Sequence, residues 1–429
     1  MAHFSPDTGI VQRLWGIVLI SIILTGCAVA VKKQPETPAP MVRLSLSDYP
    51  NFMDDMNLDG LSHSLSKSLA YLKRIPATRE FSFAGDRYDA SHMIRSISTF
   101  KGFVETGPTT EEVAKFIRDH YRVYRSVGRS KDGRVLFTGY YEPILTGARV
   151  RTETHRYPVY AVPEDLQIVN LGDFSRRFKG EKIYGRIDGS RLVPYYDRKA
   201  IGQGEILEKR ARSLAWLSDP VDLFFLQVQG SGKIYLESGM PLNVHYHATN
   251  GHPYRSIGKY LIDKGAIDRS KMSMQAIRGY LREHPDVVDE VLNYNPSYVF
   301  FKKEKEGPLG YLEVKLTPGR SIATDRRIFP AAALVYLQTK KPLVDAEGRI
   351  HTWTALNRFA LNQDTGGAIR GPGRADLFWG NGPYAELAAG HMQHNGTLFF
   401  LILKPDSDIG FAAANAPPKQ SPSCLLFAS

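Results

Sequence analysis

The spacing of apolar residues predicts helices in four parts of the chain. In residues 61–75 four leucines recur at intervals of three and four, and residues 110–124 repeat the pattern after Thr110, a suitable helix cap. Two further helices are predicted at 256–265 and 273–284. These apolar stripes are typical of helices that pack on a core, so we assign them no chemistry.

Elsewhere apolar and polar residues alternate in short runs, which is typical of β-strands. Residues 134–143 are rich in β-branched and aromatic residues, and residues 222–239 alternate around Gly230 and Gly232 as a hairpin does. Further strands are predicted over SYVFFK (297–302), GYLEVKL (310–316), AAALVYL (331–337), FALNQ (359–363) and LFFLILK (398–404). Many short strands with frequent glycine favour barrels over a parallel sheet.

The amino terminus is predicted to be a signal peptide, residues 1–26. Its apolar run at 14–24 is too short to span a bilayer as a permanent helix. The run ends in Leu-Thr-Gly-Cys, which resembles the lipobox of bacterial lipoproteins, whose cysteine is lipidated and becomes the first mature residue. Cys27 is the predicted lipidation site, and the alternative is an ordinary small residue ending a signal helix. Ala28, in place of an aspartate, indicates the outer membrane, facing the periplasm.

The segments next to the signal peptide and at the carboxyl terminus are predicted to lack fixed structure. Residues 27–45 mix Pro, Ala, Lys and Thr without periodicity, as a flexible tether does, and residues 407–429 are predicted to be a disordered tail. The only other cysteine is Cys424, so lipidation of Cys27 leaves no intramolecular disulfide. The 429 residues are enough for two domains that are held together by their cores alone.

The chain is basic, with a net charge of +11 at pH 7. A basic surface favours polyanions. Behind an export signal the available anions are lipid phosphates and the carboxylates of cell-wall peptides, so we expect no nucleic-acid partner. A generally soluble basic surface explains the same charge, because the Lys and Arg residues are spread along the sequence.

Three aspartates in the last third of the chain are the candidate catalytic residues. Asp325, Asp364 and Asp376 each lie where a predicted strand begins or ends beside a turn, a position from which polar side chains converge on a cleft. Four glycines between the last two would let the backbone approach a ligand closely. We expect residues 362–380 to be a crossing loop that brings Asp364 near Asp376. A single aspartate in such a place is more often a turn or cap residue.

The three aspartate segments, in this order and with this glycine pattern, resemble the three-aspartate domain of the membrane-bound lytic murein transglycosylase A family. The resemblance covers residues 134–404 and includes FTGYYEP (137–143), FLQVQGSGKI (225–234), NGHPYRSIGKYLIDKG (250–265), SMQAIR (273–278) and NPSYVFFK (295–302). It implies a mainly β fold with helices and a groove between two domains. One is a double-psi β-barrel with the N-terminal helical segment (46–143 and 301–406), and the other is an inserted second β-barrel for substrate (144–300).

The reaction implied by the resemblance is cleavage of the β-1,4 bond between N-acetylmuramic acid and N-acetylglucosamine in peptidoglycan, ending in a 1,6-anhydro sugar. The family's catalytic aspartate corresponds to Asp376, in GRADLFWG (373–380). This loop reads Gly-Pro-Gly-Arg before Ala375 and Asp376, where we expect the family pattern to be closer to a His-Phe-Asp ending.

The chemistry of the bond gives Asp376 the same role. The leaving oxygen needs an acid, and an ordinary aspartate pKa of about 3.9 is too low for that task. Phe378 and Trp379 would raise it by desolvation and Asp364 by repulsion, whereas Arg374 would oppose them. In the reaction that the resemblance implies, the sugar's own C6 hydroxyl is the nucleophile, so one aspartate would serve as acid and then as base, with Asp364 and Asp325 as supports.

A groove for glycan needs aromatic rings and amide side chains. Of Tyr140 and Tyr141 at most one can line it, because adjacent strand residues face opposite ways, and the alternative is a core pair. The run at 227–231 fits the same need, with a plain hairpin turn as the alternative. The predicted substrate-binding residues are Tyr140, Tyr141, Gln227, Gln229, Gly230, Ser231, Thr324, Gly366 and Gly367.

No metal or cofactor is expected. His245, His247 and His252 have no acidic or cysteine partner at a convincing spacing, so a turn with solvated imidazoles is favoured over a zinc site.

Two other functions stay open at this point. The first is a hydrolytic muramidase that uses Asp364 and Asp376 as a pair, and the second is a lipid-anchored scaffold that binds peptidoglycan without activity. Membership of a complex of cell-wall enzymes is a further prediction about partners.

Overall fold

The computed structural model of the chain describes Met1 and residues 39–203 and 205–407. Residues 2–26 of the predicted signal peptide, the predicted lipidation site Cys27, residues 28–38 of the predicted tether and residues 408–429 of the predicted tail lie outside the described residues. The part from Ala39 onward forms one unit. No helix in the described ranges is both long enough and apolar enough to cross a lipid bilayer.

Strands outnumber helices in the described residues. The strands are β1 (Met41–Arg43), β2 (Glu80–Phe83), β3 (Asp86–Asp89), β4 (Tyr121–Ser126), β5 (Val135–Tyr140), β6 (Ile144–Gly147), β7 (Tyr157–Tyr160), β8 (Gln167–Asn170), β9 (Lys182–Asp188), β10 (Arg191–Pro194), β11 (Ser213–Leu217), β12 (Ser231–Leu236), β13 (Pro241–Thr249), β14 (Val299–Glu304), β15 (Ser321–Ala323), β16 (Leu334–Val344), β17 (Ile350–Asp364), β18 (Arg374–Phe378) and β19 (Gln393–Leu403). The α-helices are α1 (Leu61–Leu72), α2 (Ala90–Val104), α3 (Thr110–His120), α4 (Arg198–Gln203), α5 (Pro220–Gln229), α6 (Ile257–Asp263), α7 (Met274–Glu283), α8 (Val288–Asn293) and α9 (Pro383–His391).

Six strands close into a barrel. Around the barrel the order is β5, β18, β15, β17, β16 and β19, and β19 pairs again with β5. The pairs β15–β17 and β5–β18 are parallel, and the other four are antiparallel. Strands β4 and β1 continue the sheet beyond β19. The predicted mainly β fold with a barrel is confirmed.

The period of two along each barrel strand decides which side chains fill the core and which face outward. On β18, Ala375 and Leu377 are fully buried, whereas Asp376 between them is partly exposed. On β5, Phe137 is fully buried and its neighbour Thr138 is partly exposed. The outer face of β5 and β18 is therefore where polar side chains can meet substrate.

Helices cover other sides of the barrel. Helix α1 packs against α2 and β17, and α2 also packs against β19. Helix α3 begins one residue later than its cap, which is Thr109 rather than the predicted Thr110, and Glu112 completes a capping box with it. The helix ends at His120 because Tyr121 already has extended backbone and starts β4.

Strands β6 to β14 lie between the barrel strands β5 and β15 in sequence and build three further sheets. Their orders are β14-β13-β12-β6, β11-β7 and β10-β9-β8. A separate core, which includes Val159, Ala215, Leu226, Ile234 and Phe301 as fully buried residues, joins the first two of these sheets.

The predicted hairpin at 222–239 is wrong, because its first half is helix α5 and only the second half is a strand. Asp219 caps the helix by accepting a hydrogen bond from the Val221 backbone N–H, and Pro220 occupies the first turn. Gly230 ends the helix in the left-handed region, with φ of 79°. These start and stop signals outweigh the alternation of the apolar residues.

Two other predictions about local structure need correction. The predicted tether at 27–45 includes β1, in which Met41 is fully buried and pairs with Ser126 on β4. The predicted strand at 310–316 is a turn in which only Lys315 pairs with Leu309 as an isolated bridge. Both segments obtain their conformation from packing on distant parts of the chain, which local patterns do not report.

Candidate active site

Strand β15 brings two of the three predicted aspartates together. Ala323 on β15 lies opposite Asp364 of the parallel strand β17 on one side and opposite Asp376 of the antiparallel strand β18 on the other. Neighbouring strands are about 4.8 Å apart, so the two aspartate backbones lie about 10 Å apart. The side chains are close enough for the charge of Asp376 to act on Asp364. The predicted pairing of the two carboxylates is therefore produced by strand order rather than by a crossing loop.

Asp376 is held on the outer face of the barrel. Its Oδ1 accepts hydrogen bonds from the hydroxyl of Thr138, at 2.5 Å, and from Nη2 of Arg374, at 3.2 Å. Thr138 lies directly opposite Asp376 on the parallel strand β5, and Arg374 precedes it by two residues on the same face. The Asp376 side chain is 20% exposed. No hydrogen bond within the described residues occupies its other oxygen, Oδ2.

Asp364 is more enclosed. Its Oδ2 accepts a hydrogen bond from the hydroxyl of Tyr140 at 2.9 Å, and its Oδ1 accepts from the backbone N–H groups of Tyr311 and Thr365, both at 2.8 Å. Burial, aided by the charge of Asp376, outweighs the lowering effect of these hydrogen bonds and raises the pKa of Asp364 to about 6. The site thus holds two carboxyl groups with unequal surroundings, one enclosed and one partly exposed.

Asp325 does not join this pair. Its side chain is fully buried and accepts hydrogen bonds from Nε and Nη2 of Arg327 and from the backbone N–H of Gly371. Burial alone would raise the pKa of Asp325, but these hydrogen bonds outweigh it and lower the pKa to about 2. The carboxylate anchors the loop between β17 and β18, so Asp325 supports the site without facing it.

Two glycines shape that loop. Gly371 has φ of 76°, in the left-handed region that favours glycine. A Cβ added to Gly373 would lie 2.6 Å from the backbone nitrogen of Arg129, so no larger residue fits without a shift. Gly367, by contrast, has open space around it and φ outside that region. Gly366 and Gly367 follow Asp364 directly and stay predicted substrate contacts.

The two tyrosines face opposite ways, as strand geometry requires. Tyr140 donates to Asp364 and its ring lies 5.2 Å from that of Phe378, on the Asp376 face. Tyr141 is 3% exposed and its hydroxyl donates to Glu386 of α9. The prediction that Tyr141 binds substrate is therefore corrected, and only Tyr140 reaches the site.

Three other predicted contacts are buried and cannot meet substrate as placed. Gln227 is 4% exposed within α5, Ser231 is 7% exposed at the start of β12, and Thr324 is fully buried with its hydroxyl donating to Asn362. Their burial places all three outside an open groove, which disagrees with their predicted role in substrate binding. Gln229, at the end of α5, is partly exposed, but its Oε1 accepts from the Tyr141 backbone N–H. Gly230 serves as the cap of α5.

Two contributors to the site were not predicted, Thr138 and Tyr311. Thr138 shares the outer face with Tyr140, two residues away, and this spacing was the signal that could have found it. Tyr311 is 48% exposed and holds Asp364 through its backbone, while the Arg326 guanidinium lies 4.6 Å from the centre of its ring. Its place beside Asp364 depends on the turn at 310–316, which the sequence did not reveal.

Phe378 and Trp379, the aromatic neighbours of Asp376, point in opposite directions. Phe378, two residues along β18, lies on the Asp376 side of the strand and is almost fully buried. Trp379 turns away and packs on β5, where a Cβ on Gly139 would lie 2.6 Å from its indole nitrogen. Of the two predicted aromatic walls, only Phe378 stands on the face of the carboxylate.

A cavity of about 310 Å³ adjoins the site beyond Thr138. Its lining includes Phe225 and Gln229 of α5, His391 of α9 and Gln393 of β19. Gln393 lies opposite Thr138 in the register of β19 with β5. The row from Asp376 through Thr138 to Gln393 therefore leads from the carboxylate into this cavity.

The histidine run is not the predicted turn. His245 and His247 lie within β13, and a ring nitrogen of His252, Nε2, is 2.7 Å from the carbonyl oxygen of Tyr195. Burial lowers the pKa of His245. In the described residues no group of three His, Cys, Asp or Glu side chains is arranged to hold a metal ion.

Two family models together match more than half of the chain. The family model described as "MltA specific insert domain" matches residues 136–302, and the model described as "3D domain" matches residues 320–402. The chain is 34% identical over 306 residues to membrane-bound lytic murein transglycosylase A of Escherichia coli K12, which covers 71% of this chain and 74% of that protein. It is 33% identical over 282 residues to the protein of the same name from Vibrio cholerae, covering 65% and 68%.

The chain also resembles solved structures of lytic murein transglycosylases. A membrane-bound lytic murein transglycosylase from Agrobacterium tumefaciens has a TM-score of 0.69 at 29% identity, covering 85% of this chain and 97% of that one. MltA of E. coli with bound chitohexaose has a TM-score of 0.65 at 27% identity, covering 87% and 97%.

Proposed function

Because the chain belongs to the membrane-bound lytic murein transglycosylase A family, we propose that it cleaves the β-1,4 bond between N-acetylmuramic acid and N-acetylglucosamine in peptidoglycan without water, leaving a 1,6-anhydro sugar. The observation that carries this proposal is Asp376, a partly exposed carboxyl group on the barrel face beside a second, enclosed carboxyl group. The chitohexaose bound to the E. coli relative supports a glycan chain as the ligand class.

In the first step Asp376 acts as the acid. Its Oδ2 donates the proton to the glycosidic oxygen as the bond from that oxygen to C1 of the muramic sugar breaks. The bonding electrons leave with the oxygen of the departing N-acetylglucosamine, and positive charge develops at C1. Thr138 and Arg374 bind Oδ1 and stabilise the carboxylate that is left.

In the second step the same carboxylate acts as the base. The C6 hydroxyl of the muramic sugar attacks C1, the new C1–O6 bond closes the anhydro ring, and Asp376 takes the hydroxyl proton. The protonated form of Asp376 is thereby regenerated, so the reaction needs neither water nor a nucleophile from the protein. One carboxyl group that touches substrate suffices for both steps.

The neighbours of Asp376 have supporting roles. Asp364 stays enclosed and accepts a hydrogen bond from Tyr140, so it supports the site rather than attacking the sugar. Tyr311 presents an exposed ring beside Asp364, which suits the apolar face of a sugar unit. Asp325 fixes the loop between β17 and β18 through Gly371.

We also propose that Cys27 carries a lipid that holds the protein on the outer membrane, facing the periplasm. The support is the lipobox sequence together with the name of the relatives, which are called membrane-bound. Participation in a complex of cell-wall enzymes stays a prediction. Radiolabelled palmitate in cells tests the anchor, since Cys27→Ser should abolish labelling and Cys424→Ser should leave it intact.

Product analysis tests the reaction. Sacculi digested by the protein should release muropeptides lighter by one water than those released by a muramidase. Products of muramidase mass would instead favour the hydrolytic pair of Asp364 and Asp376. Absence of any product from a protein that still binds sacculi would favour the inactive scaffold.

Replacing Asp364 should change how stability depends on pH. The folded-state pKa of about 6 lies above the ordinary value of 3.8, so the folded protein binds this proton more tightly than the unfolded chain. The stability this gives is complete below about pH 4 and is lost as the pH rises through about 6. Asp364→Asn should therefore be more stable than wild type at pH 7, by on the order of 2–3 kcal/mol.

Urea unfolding at a series of pH values measures this difference. The gap between Asp364→Asn and wild type should close as the pH falls below about 4. Asp289→Asn, a change of an exposed helix residue, controls for the loss of one negative charge. A gap that is the same at every pH would contradict the account of Asp364.

Replacing Arg374 should slow the reaction. Its Nη2 donates hydrogen bonds to Oδ1 of Asp376 at 3.2 Å and to the hydroxyl of Thr138 at 3.1 Å. Arg374→Gln should lower kcat on solubilised glycan strands by about tenfold, because the positive charge that stabilises the carboxylate left after the first step is lost. Arg374→Lys keeps the charge and should lose less activity. Equal losses in both variants would show that the charge of Arg374 makes no contribution.

A further inference from the structure

The sheet β10-β9-β8 contacts the rest of the chain through one face, and the opposite face is open. Tyr184 on β9 packs over Gly251, where an added Cβ would lie 2.5 Å from the tyrosine Cβ, and the guanidinium of Arg186 lies 4.7 Å from the centre of the Tyr196 ring. This face is covered only in part, since Ile168, opposite Tyr184, is 44% exposed. Side chains alternate along a strand, so Ile183 and Ile187 point to the opposite side from Tyr184 and Arg186.

The open face is apolar. Opposite residues on paired strands share a side, which places Val169 beside Ile183 and Leu192 beside Ile187. Ile183, Ile187 and Leu192 are 42%, 60% and 38% exposed. We call Val169, Ile183, Ile187 and Leu192 the apolar sheet face. Branched aliphatic side chains in adjacent positions are unusual on a solvated surface and mark a contact with something else.

The connection between β8 and β9 adds a protruding ring and positive charge at the end of this sheet. Phe174 is 78% exposed, more than any other aromatic ring in the described residues. Arg176, Arg177 and Lys179 follow it and are exposed, and no salt bridge within the described part of the chain neutralises them. Arg177 lies over the ring of Phe178 at 4.3 Å. We call residues 174–179 the basic segment.

We propose that the apolar sheet face and the basic segment together dock on an anionic lipid surface. Aliphatic side chains and a protruding phenylalanine enter the boundary between headgroups and acyl chains, and cations beside them bind lipid phosphates. The inference goes beyond the proposed glycan chemistry and does not depend on it. Docking would set the orientation of the barrel relative to the membrane, which a single lipid at residue 27 would not.

Other occupants fit the chemistry less well. A glycan chain needs several hydrogen-bonding partners and flat aromatic rings, whereas this side of the sheet carries no aromatic ring and only one amide side chain, that of Gln167 opposite Gly185. A second copy of the chain related by a two-fold axis would bring the two basic segments towards each other and add repulsion between like charges.

Co-sedimentation with vesicles tests the proposal. The chain from residue 28 onward is used, because it lacks the predicted lipid anchor and keeps every strand and helix described above. It should bind vesicles of phosphatidylethanolamine with about one third phosphatidylglycerol, and binding should fall at least about tenfold on neutral phosphatidylcholine vesicles or at high salt.

Two variants divide the surface into its apolar and charged parts. Phe174→Ser with Ile187→Ser, and Arg176→Gln with Arg177→Gln and Lys179→Gln, should each weaken binding to the anionic vesicles about tenfold. Matched controls elsewhere on the chain are Met240→Ser with Leu343→Ser, and Arg269→Gln with Lys271→Gln and Arg282→Gln. The controls should bind as wild type does, and circular dichroism should show every variant folded.

Several results would overturn the proposal. These are no binding by the wild-type chain, equal binding by surface variants and controls, or a concentration-dependent dimer that Ile187→Ser abolishes, which would assign the face to a second copy. Cleavage of soluble glycan, measured in parallel, should be unchanged in both surface variants. Loss of vesicle binding and failure of the proposed reaction are therefore separate outcomes.

Discussion

Asp376→Asn should lose about a thousandfold in kcat on purified peptidoglycan, because one side chain supplies the proton to the leaving oxygen and later takes one from the C6 hydroxyl. The amide is nearly the same size as the carboxyl group and can still accept the hydrogen bonds from Thr138 and Arg374. It cannot give up a proton to the glycosidic oxygen. The fold should therefore survive while both chemical steps fail.

Turnover of solubilised glycan strands, followed by chromatography, measures the loss. Asp289→Asn on α8 is exposed and is the matched control, which should retain wild-type kcat. Thermal unfolding should occur at a similar temperature in Asp376→Asn and in wild type. If Asp376→Asn kept more than about a tenth of wild-type kcat, general acid–base catalysis by this residue would be ruled out.

Arg320→Met should lower the free energy of unfolding by about 3–5 kcal/mol, because it leaves a buried carboxylate without its partner. The Arg320 side chain is fully buried and the Asp54 side chain is 4% exposed. Arg320 donates to both oxygens of Asp54, at 2.6 and 2.8 Å, and to the carbonyl oxygens of Asp59 and Phe359, both at 2.8 Å. It also precedes β15 directly, so it ties the N-terminal segment to the strand between the two active-site aspartates.

Urea unfolding of the single and double variants separates the ion pair from the lost packing. Asp54→Asn combined with Arg320→Met should be less destabilised than the sum of the two single changes, since neither charge is then left alone in the core. Arg349→Met, at an exposed ion pair with Asp345, should cause no measurable change. If Arg320→Met were as mild as Arg349→Met, the buried pair would not hold β15 in place.

Local patterns in the sequence predict much of the secondary structure but fail where start and stop signals compete with alternation. Helices α6 and α7 lie within two residues of each end of the predicted segments, because Ser256 and Ser273 cap them before a clear apolar stripe. The segment at 222–239 alternates like a strand, yet Asp219, Pro220 and Gly230 make its first half a helix. These capping residues would have predicted the helix if they had been given more weight than the alternation.

The sequence predicts the residues of the candidate site better than it predicts how they come together. Asp364 and Asp376 could be identified from the chain alone, but their approach depends on β15 pairing with both of their strands, a long-range property. For the same reason Asp325, similar in sequence context, turned out to be buried against Arg327 and Gly371. Strand periodicity showed that Tyr140 and Tyr141 must diverge, yet it could not tell which of them faces Asp364.

The apolar sheet face illustrates the limit of composition. The net charge of +11 suggested anionic partners without indicating where they bind. The pairing of β8, β9 and β10 collects four aliphatic side chains on one side, and the basic segment at the end of the sheet gives the charge a location. Neither feature is visible as a continuous motif in the sequence.

Digestion of sacculi in water enriched in ¹⁸O tests the central claim most directly. If the C6 hydroxyl of the sugar replaces water, the muropeptides released by the wild-type protein should carry no ¹⁸O at C1, and Asp376→Asn should release almost none of them. Incorporation of one ¹⁸O atom into each cleaved muramic end would show that water is the nucleophile and would contradict the account.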